Sequence, residues 1–108
     1  MLGGHYKLDV VAIVDRNMFQ IDGQTEEVMR LEPFGRKWEA FGWNVIETDG
    51  NDIKRLISAF ERVQEGIPNV IIAYTSKGKG VGFMEGNNDF HAKVFSDEEM
   101  NRAMMELE

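Results

Sequence analysis

Three stretches of this 108-residue sequence hold side chains whose types and spacing could do chemistry. The first is Asp15, Asn17 and the main-chain carbonyl of Phe19, directly after an apolar run. Magnesium and calcium take hard oxygen ligands, in a near-octahedral shell for magnesium. An Asn amide oxygen and a carbonyl two residues on could occupy one side of such a shell, a carboxylate and a water standing among the other ligands. The competing reading is an Asx-turn at a strand exit, which Asp and Asn favour unaided. The second stretch is Thr75-Ser76-Lys77-Gly78-Lys79-Gly80. Its glycines let backbone approach an anion closely and its lysines supply charge. The spacing is not that of a Walker loop, and a solvated basic turn is the alternative. The third is His91, an imidazole able to exchange protons near neutral pH, in a polar loop where a surface histidine is the ordinary reading. Met100, Met104 and Met105 read as helix packing rather than a metal-binding methionine box.

The elements that must position these residues alternate in type. Val10-Val11-Ala12-Ile13-Val14 and Val70-Ile71-Ile72-Ala73-Tyr74 are continuous apolar runs, the pattern of parallel strands covered on both faces. Asn44-Val45-Ile46-Glu47-Thr48 is a third strand. Phe34, Trp38 and Phe41 recur at helical spacing before Gly42, with Pro33 suited to the first turn. Ile53, Leu56, Ile57, Phe60 and Val63 form an apolar stripe that Asn51 or Asp49 can cap and that Gly66 and Pro68 end. Ser96 and Glu99 have capping-box spacing ahead of a stripe of Met100, Ala103, Met104 and Leu107. The reading predicts strands near residues 9–15, 43–48 and 69–75 and helices near 33–41, 51–65 and 96–107. Such alternation implies right-handed parallel crossovers and an α/β sandwich, with ligands beyond the carboxyl ends of the strands. Both candidate loops then leave the same sheet edge.

Composition narrows the function classes. The formal net charge is −7, with scattered cations, which argues against a nucleic-acid surface. There is no cysteine, so disulfides, zinc–thiolate sites and cysteine nucleophiles are excluded. No apolar run approaches the length of a membrane span, and the N-terminal residues lack the pattern of a signal peptide; the expected location is cytoplasmic.

The ordered motifs resemble transketolase. Val14 to Gly23 resembles its "VDRN-x-x-QIDG", and His5 to Asp9 its "HYKLDN". Thr25 to Met29 and Leu31 to Pro33 are similar to "TEEVM-x-LEP", and Lys37 to Trp43 to "KW-x-AFGW". Asp49-Gly50-Asn51-Asp52 stands where the family has "DGHD". Pro68 to Phe83 resembles "PTVIIA-x-T-x-KGKGVSF", and Met84 to Lys93 resembles "MENN-x-x-WHGK". Here Phe90 replaces the Trp, Ala92 the Gly, and Phe95 the Pro that usually follows. "QIDG" and "KGKGV-x-F" fit transketolase better than deoxyxylulose-phosphate synthase.

The resemblance implies a three-layer α/β sandwich with a mostly parallel sheet, part of a thiamine-diphosphate-binding fold. It implies that residues 1–108 are the C-terminal half of the diphosphate-binding domain, because the Gly-Asp-Gly that opens the family's signature is absent. It places Asn17 and the Phe19 carbonyl on magnesium or calcium, Ile21 against the thiazolium ring, Lys77 beside the diphosphate or a sugar phosphate, and His91 in a catalytic position. Ordinary packing is the alternative for Ile21. The implied activity is transfer of a two-carbon ketol unit between sugar phosphates, as a fragment or split subunit of the enzyme. The isolated chain is expected to be inactive, and thiamine diphosphate with its metal is expected only in an assembled enzyme. The expected partners are the missing transketolase portions or a second copy of the chain, with no nucleic acid and no membrane. The alternative is a non-catalytic remnant that folds or oligomerises as an interaction module.

Overall fold

The computed structural model describes residues 1–108. The elements run α1 (Leu2–His5), β1 (Val11–Arg16), β2 (Phe19–Gln20), β3 (Gly23–Gln24), α2 (Thr25–Val28), α3 (Phe34–Ala40), β4 (Asn44–Asp49), α4 (Ile53–Phe60), β5 (Asn69–Tyr74), a 3-10 turn (Asn88–His91) and α5 (Asp97–Leu107). The expected strands and three longer helices are all present. The small hairpin β2–β3, α1 and α2 were not anticipated; they are too short to carry a period.

β5 lies at the centre of a parallel sheet of order β1-β5-β4. In register, Ile71 is flanked by Ile13 and Ile46, and Ile72 by Val14 and Glu47. Successive side chains on a strand point to opposite faces. Ile46, Ile71 and Ala59 of α4 form the buried core cluster, with Val63 packed against it. On the opposite face of β4, Val45 and Glu47 lie against Gly35 of α3. Helices thus cover both faces of β4, giving three layers. β5 is buried from Asn69 to Ala73, as its continuous apolar run predicts.

β1 departs from the same prediction. Its burial alternates, and Val11 and Ile13 are exposed, Ile13 by 58%. The cause is cover: α3 and α4 pack on β4, the other edge strand, whereas the packing of β1 against other elements is dominated by β5. The apolar stripe of α4 also divides. Ala59 is buried and Leu56 and Val63 are half-buried, whereas Ile53, Ile57 and Phe60 are exposed.

Caps and ends follow the side chains available. Asp52, rather than Asn51 or Asp49, caps α4: its Oδ1 accepts from the backbone N–H of Lys54 (2.9 Å) and Arg55 (3.2 Å). α4 stops at Phe60, earlier than expected. Beyond it the chain makes tighter bonds, Arg62 N–H to the Ala59 carbonyl and Val63 N–H to that of Phe60. Asn69 then captures both backbone groups of Gln64: its Oδ1 accepts from Gln64 N–H (2.9 Å) and its Nδ2 donates to the Gln64 carbonyl (2.8 Å). Gly42, at φ +81°, closes α3 in a conformation that favours glycine. Ser96 and Glu99 form the expected capping box of α5. No helix is long and apolar enough to cross a membrane.

Candidate functional site

β1 delivers Arg16 and Asn17 to the carboxyl edge of the sheet. Arg16 is 3% exposed. Its guanidinium donates to Thr25 Oγ1 (2.7 Å), Glu26 Oε1 (3.1 Å) and Glu32 Oε1 (2.9 Å), and lies 5.6 Å from the centre of the Phe34 ring. Both carboxyls are held below the ordinary range. For Glu26 the main cause is the Leu31 N–H, and for Glu32 the Phe34 N–H, with Arg16 adding to each. Arg16 therefore ties the end of β1 to the segment from Thr25 to Phe34. Sequence reading gave it no role, although a charge closing an apolar run was the available signal.

On this base stands the hairpin. Asn17 Oδ1 accepts from the Phe19 N–H at 2.9 Å, so the Asx-turn is formed. Met18 has φ +68°, a left-handed conformation uncommon for a side chain other than Gly or Asn. Its carbonyl accepts from Thr25 N–H at 2.9 Å, which closes the hairpin onto α2. Ile21 sits at the tip between β2 and β3 and is 74% exposed. It does not pack as an ordinary core residue.

The loop after β5 is knitted to both neighbouring strand exits. Thr75 Oγ1 donates to Asp15 Oδ1, and Ser76 N–H donates to Asn51 Oδ1 at 2.7 Å. Asp15 thus serves as a cross-strand acceptor, and Asn51 as a loop anchor rather than a helix cap. Glu85 accepts from Ser76 Oγ (3.1 Å) and Lys79 Nζ (3.0 Å). Lys79 is the main cause that lowers the Glu85 carboxyl. Gly86 N–H closes the loop on the Lys77 carbonyl at 2.9 Å. Gly78, at φ +71°, leaves room that a Cβ would take from Met84, 2.7 Å away. Lys77 is half-buried, and its ammonium makes no ion pair.

His91 ends the 3-10 turn and is exposed. Asn87 caps that turn through the Asp89 N–H, and Asn88 Nδ2 reaches back to the hairpin, donating to the carbonyls of Gln20 (3.2 Å) and Ile21 (3.1 Å). The loops bearing Asn17, Lys77 and His91 are thus linked to the hairpin or to a strand exit at one edge. No hydrogen bond or ion pair joins those three side chains directly. No group of three or more His, Cys, Asp or Glu side chains is placed to hold a metal ion.

Comparison with known proteins gives a consistent placement. Residues 1–107 match the family described as transketolase, thiamine diphosphate binding domain. The chain is 44% identical over 110 residues to an apulose-4-phosphate transketolase subunit of Phocaeicola vulgatus, covering 99% of this chain and 39% of that one. It is 40% identical over 111 residues to a 6-deoxy-6-sulfo-D-fructose transketolase subunit of Clostridium, covering 100% and 40%. It therefore spans about two fifths of the length of these relatives. Crystalline transketolase from Campylobacter jejuni superposes with a TM-score of 0.89 at 30% identity, over 98% of this chain and 17% of that chain.

Proposed function

The chain belongs to the transketolase thiamine-diphosphate-binding-domain family, and from that premise we propose that it supplies one part of the cofactor site of a split transketolase. The observation that supports this reading best is the joining of loops from β1, β4 and β5 at the carboxyl edge, where open α/β sheets place ligands. Residues 1–108 would be the C-terminal half of the diphosphate-binding domain. Its partners would be the remaining transketolase polypeptide or further copies of this chain.

The residues present fit one side of the cofactor's metal shell. Asn17 Oδ1 accepts a single bond and keeps a second acceptor position, and the Phe19 carbonyl lies two residues on. Further charged ligands for magnesium or calcium would come from the remaining transketolase polypeptide. Lys77 supplies an unpaired cation for a phosphate group. Ile21 supplies an apolar surface at the hairpin tip, against which a thiazolium ring would rest. His91 supplies an imidazole able to exchange a proton with a sugar substrate. When bound, thiamine diphosphate supplies the electron-sink chemistry for moving a two-carbon ketol unit between sugar phosphates. The chain orients that group from one side and does not complete the site, so we expect it to be inactive alone.

A second reading, a non-catalytic interaction module, draws on the exposed apolar residues of β1 and α4. Reconstitution separates the two. In the enzyme assembled with its missing polypeptide, Asn17→Ala should weaken metal-dependent binding of thiamine diphosphate, because a ligand oxygen is removed. Lys77→Ala should weaken binding of the phosphorylated ligand. Unchanged affinities in both variants would favour the interaction module.

A further inference from the structure

We propose that Asn88 is a positioning residue that clamps the His91 turn to the Ile21 hairpin. Within the stretch that resembles "MENN-x-x-WHGK", Asn88 falls on an open position of the motif, so the resemblance assigns it nothing. The inference rests on the cofactor-site reading above for its functional meaning, while the clamp itself rests on geometry.

Asn88 begins the 3-10 turn that His91 ends. Its Nδ2 donates to two consecutive carbonyls, those of Gln20 and Ile21, across 68 and 67 residues of sequence. Carbonyls only accept, so chemistry fixes which end of the amide faces the hairpin. The contact is therefore specific to an amide donor. A carboxylate of the same shape would turn an acceptor towards two acceptors. The hairpin has little else to hold its tip: β2 and β3 contribute two residues each, and Ile21 is largely exposed. A two-stranded ribbon of that length has no independent stability. Its base is held by Arg16 and Thr25. Asn88 holds the tip, and in doing so sets the distance between the apolar surface of Ile21 and the imidazole three residues beyond Asn88.

The other end of the same amide is unfinished. Asn88 Oδ1 is buried and has no hydrogen-bond partner, and the nearby Gln20 contributes an equally buried and unpaired Nε2. Asn69, at the opposite end of the sheet, shows what a finished amide looks like. Its Nδ2 donates to Gln64 and Ile67, and its Oδ1 accepts from Gln64 and Asn44. Asn69 secures the fold at the amino edge, whereas Asn88 joins two site-bearing loops.

Amide hydrogen exchange on the whole chain tests the clamp. The N–H groups of Phe19, Thr25 and Asp89 are each hydrogen-bonded and report on the hairpin and the turn. Asn88→Ala and Asn88→Asp should speed exchange at Phe19, Thr25 and Asp89 about tenfold or more, with β5 amides unchanged. Asn69→Ala is the contrast and should speed exchange through β5. Asn88→Gln, which keeps an amide donor, should restore part of the protection. Unchanged exchange at the hairpin in both Asn88→Ala and Asn88→Asp, or equal acceleration throughout β5, would overturn the clamp. In the assembled enzyme, Asn88→Ala should weaken thiamine diphosphate binding about tenfold, and unchanged binding there would overturn its positioning role. If instead Asn17→Ala and Lys77→Ala leave cofactor binding intact while Asn88→Ala frees the hairpin, the cofactor reading fails and the clamp stands.

Discussion

β4 and β1 flank the same central strand in the same parallel register, but their surroundings differ. β4 has α3 on one face and α4 on the other, and Ile46 between β4 and α4 is 1% exposed. β1 places Ile13 in the equivalent row, beside Ile71, with 58% of it exposed. Arg55 and Ser58 of α4, with Arg62 just beyond it, line a depression with the β4 residues Glu47, Thr48 and Asp49. At about 100° per residue, Ile53, Ile57 and Phe60 fall on the opposite flank, towards β1. Open apolar residues of a strand and of a helix therefore border the same unfilled layer. The β4 flank closes on residues of this chain, and the β1 flank is suited to receive others, as contiguous apolar surface usually is.

The largest expected effect sharpens that contrast. Ile46→Ala should cost about 3–4 kcal/mol, since it empties a sealed site. Ile13→Ala should cost less than about 1 kcal/mol in the isolated chain, because much of its side chain already meets water. Denaturant titration of both variants checks the difference, and equal losses would show that the two flanks are equally closed.

Next comes the anchor that β1 does possess. Arg16→Ala should cost about 2–4 kcal/mol, removing a buried guanidinium and leaving Glu26 and Glu32 without their shared partner. The same network predicts a direction with pH. Both carboxyls are lowered in the folded chain, so the unfolded chain binds protons first as pH falls. Their contribution is fully present above the ordinary carboxylate value of 4.5 and is lost as pH drops through the lowered values. Thermal melts between pH 7 and 3 should show the loss in the wild type, and less of it in Arg16→Ala.

Association should change with little change in stability. We expect the isolated chain to self-associate or bind the rest of a transketolase through the open flank. Ile13→Lys combined with Ile57→Lys should shift light scattering after size exclusion towards the monomer. A cooperative, strictly monomeric wild type at high micromolar concentration would break the comparison, because the β1 flank would then need no partner.

Much of this architecture was legible in the sequence because a strand or helix of several turns repeats its pattern. β5 reads as buried and is buried. Val10 to Val14 shows the same apolar continuity, yet β1 is half open, since a pattern records what a strand can bury and not which neighbour arrives. The cap of α4 was misplaced within Asp49-Gly50-Asn51-Asp52 because three side chains there are capable of it. A tertiary contact, Ser76 N–H on Asn51, separates their roles. At the site, the sequence singles out the loops of Asn17, Lys77 and His91; the first two follow β1 and β5 at the carboxyl edge, and the third is tied to the hairpin through Asn88. Two of their fastenings, the Asp15–Thr75 pair and Asn88, are not legible, because pairing across 60 or more residues leaves no local period. Asp15, which resembled a ligand carboxylate, is engaged by Thr75.

The central proposal is that residues 1–108 supply one side of a thiamine diphosphate site. Titration calorimetry of the 108-residue chain with thiamine diphosphate and magnesium tests it most directly. The account predicts no saturable binding in the micromolar range by the chain alone. A one-to-one complex of micromolar affinity, about −8 kcal/mol, would contradict it.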